Sequence, residues 1–165
     1  MYFPLLRSKQ FELFALRELL SSGVVSPENF CPVIEPVRKK LRPLISTIKS
    51  LNESGFVPLV IVNPTVGDVV GGMSELMPEL SGNDLKFLPC VALRDSSDEA
   101  ARRVIDALSG DFAIFVTGGV DREIVGVSGA AKYTIVDEST PPPAIRSLEN
   151  VVLIGDFFSK AIAKL

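Results

Sequence analysis

Residues 56–68 read FVPLVIVNPTVGD. The apolar run in this stretch begins around Pro58, which has no N–H to donate, and it ends abruptly at Asn63-Pro64. Proline is tolerated at the first residue of a β-strand, where no ladder bond is yet required. Asparagine before proline favours the start of a loop. The stretch therefore predicts a buried strand that starts at Pro58 and leaves the sheet at Asn63.

The same pattern occurs four times along the chain. An aromatic residue, any residue, proline and two apolar residues follow one another at Tyr2–Leu6, Phe30–Ile34, Phe56–Val60 and Phe87–Val91. The four prolines lie 26 to 31 residues apart, which is about the length of one strand, one helix and two short loops. We therefore expect four adjacent parallel strands whose prolines lie at one end of the sheet.

Helical patterns separate these strand starts. Residues 10–22 carry Phe11, Phe14, Ala15 and Leu19 on one stripe. Further helices are predicted at 43–54, 73–80, 97–108, 121–127 and 143–148. Three more apolar runs predict strands at Phe112–Val116, Tyr133–Val136 and Val151–Ile154.

Seven apolar runs that alternate with helices predict one α/β domain over residues 1–165 with a parallel sheet. The ordered repeat favours a (β/α)-barrel-like winding. A complete TIM barrel has eight strands and usually more than about 200 residues, so we expect an incomplete TIM-type barrel of about seven strands. An open doubly wound sheet is the alternative. Because exposed sheet edges are generally covered or paired, we expect a homodimer or a tight complex with a protein partner.

The composition is that of an ordinary globular protein, with 47% hydrophobic residues, 22% charged residues and a formal net charge of −3. The apolar runs are far shorter than the ~20 residues that cross a bilayer, and no secretory signal is visible. A cytoplasmic protein without membrane spans is therefore expected. The mild acidity argues against nucleic acid as the main partner.

The chain has no His and only two Cys, Cys31 and Cys90, both in apolar surroundings. Ser-His-Asp and Cys-His catalysis are thereby excluded, and two Cys alone cannot form a zinc site. The two Cys could form a disulfide, but we favour buried thiols in a reducing cytoplasm. The sequence identifies no particular metal or cofactor.

Polar residues collect where the predicted strands end. In parallel α/β folds ligands bind at the carboxyl ends of the strands, so these residues form a candidate ring for a polar ligand or for an oxygen-liganded cation such as Mg²⁺. The alternative interpretation is that strands end on polar residues because they meet water there. The ring consists of Arg7, Glu35, Asn63, Arg94, Asp137 and Asp156, and Thr117-Gly118-Gly119 follows the fifth strand.

Glu35 is the strongest single candidate in this ring. It lies directly after a buried run, where an ionised carboxylate is costly unless it is paired. The alternative to a catalytic role is a structural ion pair with Arg7 at the end of the neighbouring strand. Gly118 and Gly119 could let the backbone approach a phosphate. The basic residues within 38–42 favour a solvated loop over an anion site.

Several motifs together resemble the bacterial and phage "beta family" proteins. They are Tyr2–Leu13 with Ala15–Leu19, Pro32–Val37, Val62–Pro64 with Val66–Asp68, and Gly155–Phe158. Members of that family are considerably longer, and the Arg-Asn-rich stretch that follows their Gly-Asp-x-Phe-like segment does not appear in residues 158–165. The expectation is therefore a fragment, a short variant or an early-terminated member.

The resemblance implies a (β/α)-barrel-like fold and a setting in phage–host conflict, but no reaction. The polar positions that match the family motifs largely coincide with the candidate ring, and they strengthen its ligand-binding interpretation. They are Arg7, Lys9, Gln10, Glu35, Asn63, Asp68 and Asp156.

Two functions follow as hypotheses. The first is a protein-interaction or ligand-binding module, with a protein partner or an anionic small molecule bound near Arg7, Lys9, Asn63, Asp68, Arg94 and Gly118-Gly119. The second is a metal-assisted enzyme acting on a phosphate-bearing or nucleotide-like ligand. Its catalytic residues would be Glu35, Asp137 and Asp156 around a divalent cation, with Arg7 holding the anion.

Overall fold

The predicted alternation of strands and helices is present throughout the computed structural model, which describes residues 1–69 and 73–155, with the backbone alone at 73 and 74. The strands are β1 (Leu5–Arg7), β2 (Val33–Glu35), β3 (Leu59–Ile61), β4 (Leu88–Leu93), β5 (Ala113–Val116), β6 (Tyr133–Asp137) and β7 (Val151–Ile154). The helices are α1 (Gln10–Ser21), α2 (Arg42–Glu53), α3 (Met73–Ser81), α4 (Glu99–Ala107), α5 (Arg122–Ala130) and α6 (Pro142–Ser147).

The seven strands form one parallel sheet whose order follows the chain, β1-β2-β3-β4-β5-β6-β7. This order is the winding of a (β/α) barrel, and it differs from a doubly wound sheet, in which the strand order reverses at a switch point. The sheet curls into a half-barrel. The rings of Phe3, just before β1, and Tyr133, at the start of β6, meet edge to face with their centroids 5.2 Å apart.

The carbonyls of three prolines bond to the neighbouring strand directly before β1, β2 and β3, where the sequence predicts strand starts. The carbonyl of Pro4 accepts a bond from Val33 N–H at 2.9 Å, and Pro32 and Pro58 do the same for the first residues of β3 and β4. Each proline lacks a donor, but its carbonyl sets the register of the next strand. Pro89 differs, because it is the second residue of β4 and pairs with Val60.

The strands from β2 to β6 contribute to two apolar layers because successive side chains face opposite sides of the sheet. Val33 and Leu59 lie in an inner layer that contains no helix residue, whereas Ile34 and Val60 pack against α1 and α2. The inner layer comprises Cys31, Val33, Leu59, Ile61, Cys90, Ala92, Ala113, Phe115 and Ile135. A second outer layer lies between β3–β6 and the helices α4 and α5. Burial on both faces explains why the strands read as uninterrupted apolar runs.

The predicted stripe of α1 is wrong. Phe11 and Phe14 are 82% and 55% exposed, and α1 packs on the sheet through Leu13 and Leu16 instead. Phe11 and Phe14 are three residues apart, and so are Leu13 and Leu16. Both pairs therefore fit helical spacing, and the periodicity alone does not tell which pair is buried. The consequence is a helix beside β1 with two exposed aromatic side chains.

A buried hydroxyl in β6 offers a test of the packing. Thr134 is fully buried and its hydroxyl has no hydrogen-bond partner. Such a group costs about 1–3 kcal/mol, so Thr134→Val should raise the free energy of unfolding by about 1 kcal/mol in urea denaturation. Thr47→Val is the matched control, because Thr47 is equally buried but donates to the Pro43 carbonyl at 2.9 Å. Equal losses in both variants would contradict this account of Thr134.

Candidate functional site

The carboxyl ends of β1, β2 and β3 meet around one cavity of about 330 Å³. We call it the basic cavity, and it is lined by Arg7, Lys9, Val37, Arg38, Val66, Gly67 and Asp68. Three of the residues predicted to bind a ligand, Arg7, Lys9 and Asp68, therefore lie together. Arg38 joins them, although its basic run had favoured a solvated loop.

The floor of the basic cavity is built from tightly fitted backbone. Val37 N–H donates to the Ser8 hydroxyl at 3.0 Å, and Asp68 N–H donates to the Val37 carbonyl at 2.9 Å. Gly67 has a φ of +88°, and a Cβ at this position would lie 2.4 Å from the Val37 oxygen. Only glycine allows this approach, so the loops after β2 and β3 are held together at Gly67.

The predicted ion pair between Arg7 and Glu35 is absent. The two residues are register partners in β1 and β2, as expected for neighbouring strand ends. Glu35 is nevertheless only 4% exposed, and its Oε1 accepts bonds from Thr65 N–H at 2.8 Å and from the Thr65 hydroxyl at 2.9 Å. Arg7 is exposed and lines the basic cavity. The buried carboxylate is thus stabilised by the β3 loop, which the sequence analysis did not consider as a partner.

Asn63 extends the sheet beyond β3. Its side-chain Nδ2 donates to the Ala92 carbonyl at 2.7 Å, and its Oδ1 accepts from Ala92 N–H at 2.8 Å. The side-chain amide thus binds both backbone groups of Ala92 in β4, past the last residue of β3. Both polar ends of this side chain are used within the fold.

The exits of β4 and β5 are occupied by local contacts. Arg94 is exposed and forms an ion pair with Asp95 at 3.4 Å. Gly118 packs on it so closely that a Cβ would lie 2.3 Å from the Arg94 carbonyl oxygen, whereas Gly119 faces open space. Gly118 is therefore explained by the fit between two loops.

The carboxylates after the last strands lie apart from the basic cavity. Asp137 accepts bonds from the N–H of Ser139, at 2.9 Å, and from its hydroxyl. It lines a cleft of about 1120 Å³ between the two edges of the sheet, which we call the seam. The seam is bordered by residues 1–6 and 151–155, with the largely buried Phe115 of β5 in its lining. Asp156 lies outside the described residues.

The sequence analysis missed three contributors to these sites: Ser8, Thr65 and Arg38. Each acts through the loop that follows a strand, and loop conformation carries no hydrophobic period from which contacts can be predicted. The only available signal was the basic run within 38–42. It indicated charge without indicating that Arg38 lies beside Arg7.

Both cysteines are free and buried, which confirms the predicted thiols. Burial raises the pKa of Cys31 to about 11, and burial together with nearby Glu35 raises the pKa of Cys90 further. Both thiols are therefore neutral at pH 7 and contribute as small apolar groups to the inner layer.

The fold and its strand-end geometry define the class of the protein as a singly wound (β/α) half-barrel. Comparison with protein-family models, with curated proteins and with solved structures found no match. Within residues 1–69 and 73–155, no group of three or more Cys, Asp or Glu side chains is placed to hold a metal ion. In the same ranges, no helix has the length and apolar character that spanning a bilayer requires.

Glu35 and Arg7 should contribute very differently to stability, because Glu35 is buried and Arg7 is exposed. Glu35→Ala leaves the Thr65 N–H and hydroxyl without their acceptor, so the free energy of unfolding should fall by about 2–3 kcal/mol. Glu35→Gln keeps an acceptor and should lose much less. Arg7→Ala removes an exposed side chain and should change stability by less than about 0.5 kcal/mol. If chemical denaturation gave equal losses for Arg7→Ala and Glu35→Ala, a direct pair between them would be the better account.

The buried thiols predict a loss of stability at alkaline pH. The ordinary thiol pKa is 9.0 and that of Cys31 in the fold is about 11. The folded state favours the protonated thiol, so its contribution is complete below pH 9 and is lost as the pH rises towards 11. For Cys90, whose pKa is raised more, unfolding at pH 10.5 should cost about 2 kcal/mol less than at pH 8.

Cys90→Ala provides the control for this titration, because other groups also ionise in the alkaline range. The cavity it creates lowers stability at every pH, whereas the decrease between pH 8 and pH 10.5 should become smaller than in the wild type. Identical pH slopes in urea denaturation of the two proteins would show that Cys90 does not contribute.

Proposed function

We propose that this half-barrel is an interaction module that receives one extended segment of a partner protein in the seam. The observation that carries the proposal is the pair of open edges. Within residues 1–69 and 73–155, β1 and β7 each have one strand neighbour, and both line the same cleft of about 1120 Å³. An extended segment that pairs with an open edge gains main-chain hydrogen bonds, and pockets for alternate side chains give specificity.

The backbone of β1 presents bonding groups to the seam. Tyr2 N–H donates to the Asn29 carbonyl and Ser8 N–H to the Glu35 carbonyl. The Pro4 carbonyl accepts from Val33 N–H, so these three residues face β2. Since backbone groups alternate sides along a strand, Phe3 and Leu5 direct theirs to the open side.

The same alternation applies to the other edge of the seam. Thr134 N–H donates to the Asn150 carbonyl, so Val151 and Leu153 of β7 direct their backbone groups away from β6. Rows of unpaired N–H and C=O groups of this kind are templates for another strand.

The size of the opening favours one strand as the occupant. Eight strands close a (β/α) barrel whose interior side chains then fill the space, and seven are present in the described residues. The lining is apolar in character: Leu5 is 37% exposed, Leu153 is 48% exposed, and Phe115 lies at the inner side. An occupying strand should therefore alternate, with apolar residues towards Phe115 and polar residues on its other face.

The sequence suggests the biological process and the compartment in which the partner is found. The resemblance to the beta family supports a role in phage–host conflict, and two free buried thiols suit a reducing cytoplasm. Among the described residues, the contacts favour this module over a metal-assisted enzyme, since Glu35 is bound to Thr65 and Asp137 to Ser139.

A displayed library of random ten-residue peptides tests the proposal. Selected peptides should alternate apolar and polar residues, and on binding they should slow hydrogen exchange at the amides of Leu5 and Leu153. The double variant Leu5→Lys, Leu153→Lys places two charges in the seam and should weaken peptide binding by about tenfold or more.

Val24→Lys is the matched control, because Val24 is an apolar residue that is 74% exposed and does not line the seam. It should bind the selected peptides like the wild type. Unchanged binding by the double variant, or protection confined to amides away from both edges, would refute strand addition. A dimer at ~100 μM that excludes the peptides and is dissociated by the double variant would identify a second copy as the occupant instead.

A further inference from the structure

We infer that the basic cavity is a binding site for the phosphate group of a small molecule. The inference does not depend on strand addition, because the basic cavity lies at the carboxyl ends of β1–β3 and shares no lining residue with the seam. Its size, about 330 Å³, is at the lower end of the range for small-molecule sites.

Positive charge is concentrated there without a partner. Arg7, Lys9 and Arg38 line the cavity, and none of them forms an ion pair within the described residues. The single acidic side chain in the lining is Asp68. Three cations and one carboxylate leave a local excess of positive charge in a chain whose formal net charge is −3. An anion bound between the cations relieves their mutual repulsion.

The chemistry of the donors selects phosphate over a simple halide. Arg7 and Arg38 each carry a planar guanidinium, which binds two phosphate oxygens at once, and Lys9 adds an ammonium. Lys9 is also the N-cap residue of α1 and makes no side-chain capping bond. The first-turn N–H groups of this 12-residue helix therefore lack a capping side chain at its positive end.

The backbone that carries these side chains is held in place by hydrogen bonds within the fold. Arg7 is the last residue of β1, and Arg38 follows Val37, whose N–H and carbonyl are both bonded within the cavity floor. The close approach at Gly67 holds the loop after β3 against Val37. Pre-organised donors bind more tightly, because less conformational freedom is lost when the ligand binds.

Further positive charge lies next to Arg38 in the chain. A groove of about 1070 Å³ adjoins α2 and is lined by Lys39, Lys40, Arg42 and Lys49, with Glu75 and Glu79 opposite. These cations add to the potential that attracts an anion without touching it in the basic cavity.

Isothermal titration calorimetry at low ionic strength tests the inference by measuring binding. NMR follows the amide chemical shifts of Gly67 and Asp68 in the same titrations. The probes are inorganic phosphate, adenosine monophosphate and adenosine. Phosphate and the monophosphate should bind saturably and shift both amides, and adenosine should not bind. Tighter binding of the monophosphate than of phosphate would identify an organic phosphomonoester as the ligand, and equal binding would identify free phosphate.

Three variants make the test specific. Arg7→Gln with Arg38→Gln should weaken binding by at least about tenfold, since each loses charge-assisted bonds. Asp68→Asn removes the only carboxylate in the cavity lining and should strengthen binding several-fold. Arg122→Gln changes an exposed arginine outside the cavity and should bind as the wild type does.

The altered side chains are exposed, so the variants should remain folded, which circular dichroism verifies. Absence of saturable binding by the folded wild type would overturn the inference. So would equal weakening by the Arg122 variant and by the double variant, because the binding would then follow the overall charge and not the cavity.

Discussion

The parallel ladder that the proline carbonyls join is the constraint on which the rest of the structure depends. The carbonyls of Pro4, Pro32 and Pro58 accept bonds from the first residues of β2, β3 and β4, so four consecutive strands are aligned at the same height. A register shift by one residue would turn Val33 and Leu59 outward and bring Ile34 and Val60 inward. It would also move Arg7 away from Glu35 and separate the residues that line the basic cavity. One repeated backbone interaction thus positions both the core layers and the strand ends.

At the ends of β1 and β2, two residues compete as hydrogen-bond or ion-pair partners of Glu35: Arg7 and Thr65. Arg7 and Glu35 are register neighbours, and Coulomb attraction alone would pair them. A carboxylate this deeply buried requires donors of fixed position, and Thr65 supplies two without the conformational entropy of a long side chain. Arg7 is then free to remain hydrated at the rim of the basic cavity. The same fold that satisfies one charge therefore leaves the other available for a ligand.

Much of the fold could be predicted from the sequence, because the relevant signals are local. Pro4, Pro32 and Pro58 mark strand starts by their missing donor, and seven apolar runs set the strand count. The site was predictable only in part. That Arg7, Lys9 and Asp68 converge follows from neighbouring strand ends, whereas the role of Thr65 depends on the loop after β3. The α1 error has a different cause: Phe11 and Phe14 share helical spacing with Leu13 and Leu16, and periodicity does not tell which stripe faces the sheet.

β1 links the two surfaces, although it has only three residues and one strand neighbour. It is held by the ladder to β2, by α1 and by the contact of the preceding Phe3 with Tyr133. Its open edge borders the seam, and its last residue, Arg7, lines the basic cavity. A ligand that binds only the native arrangement stabilises that arrangement by mass action. A ligand bound at either surface would therefore stabilise the native position of β1, which carries part of both surfaces.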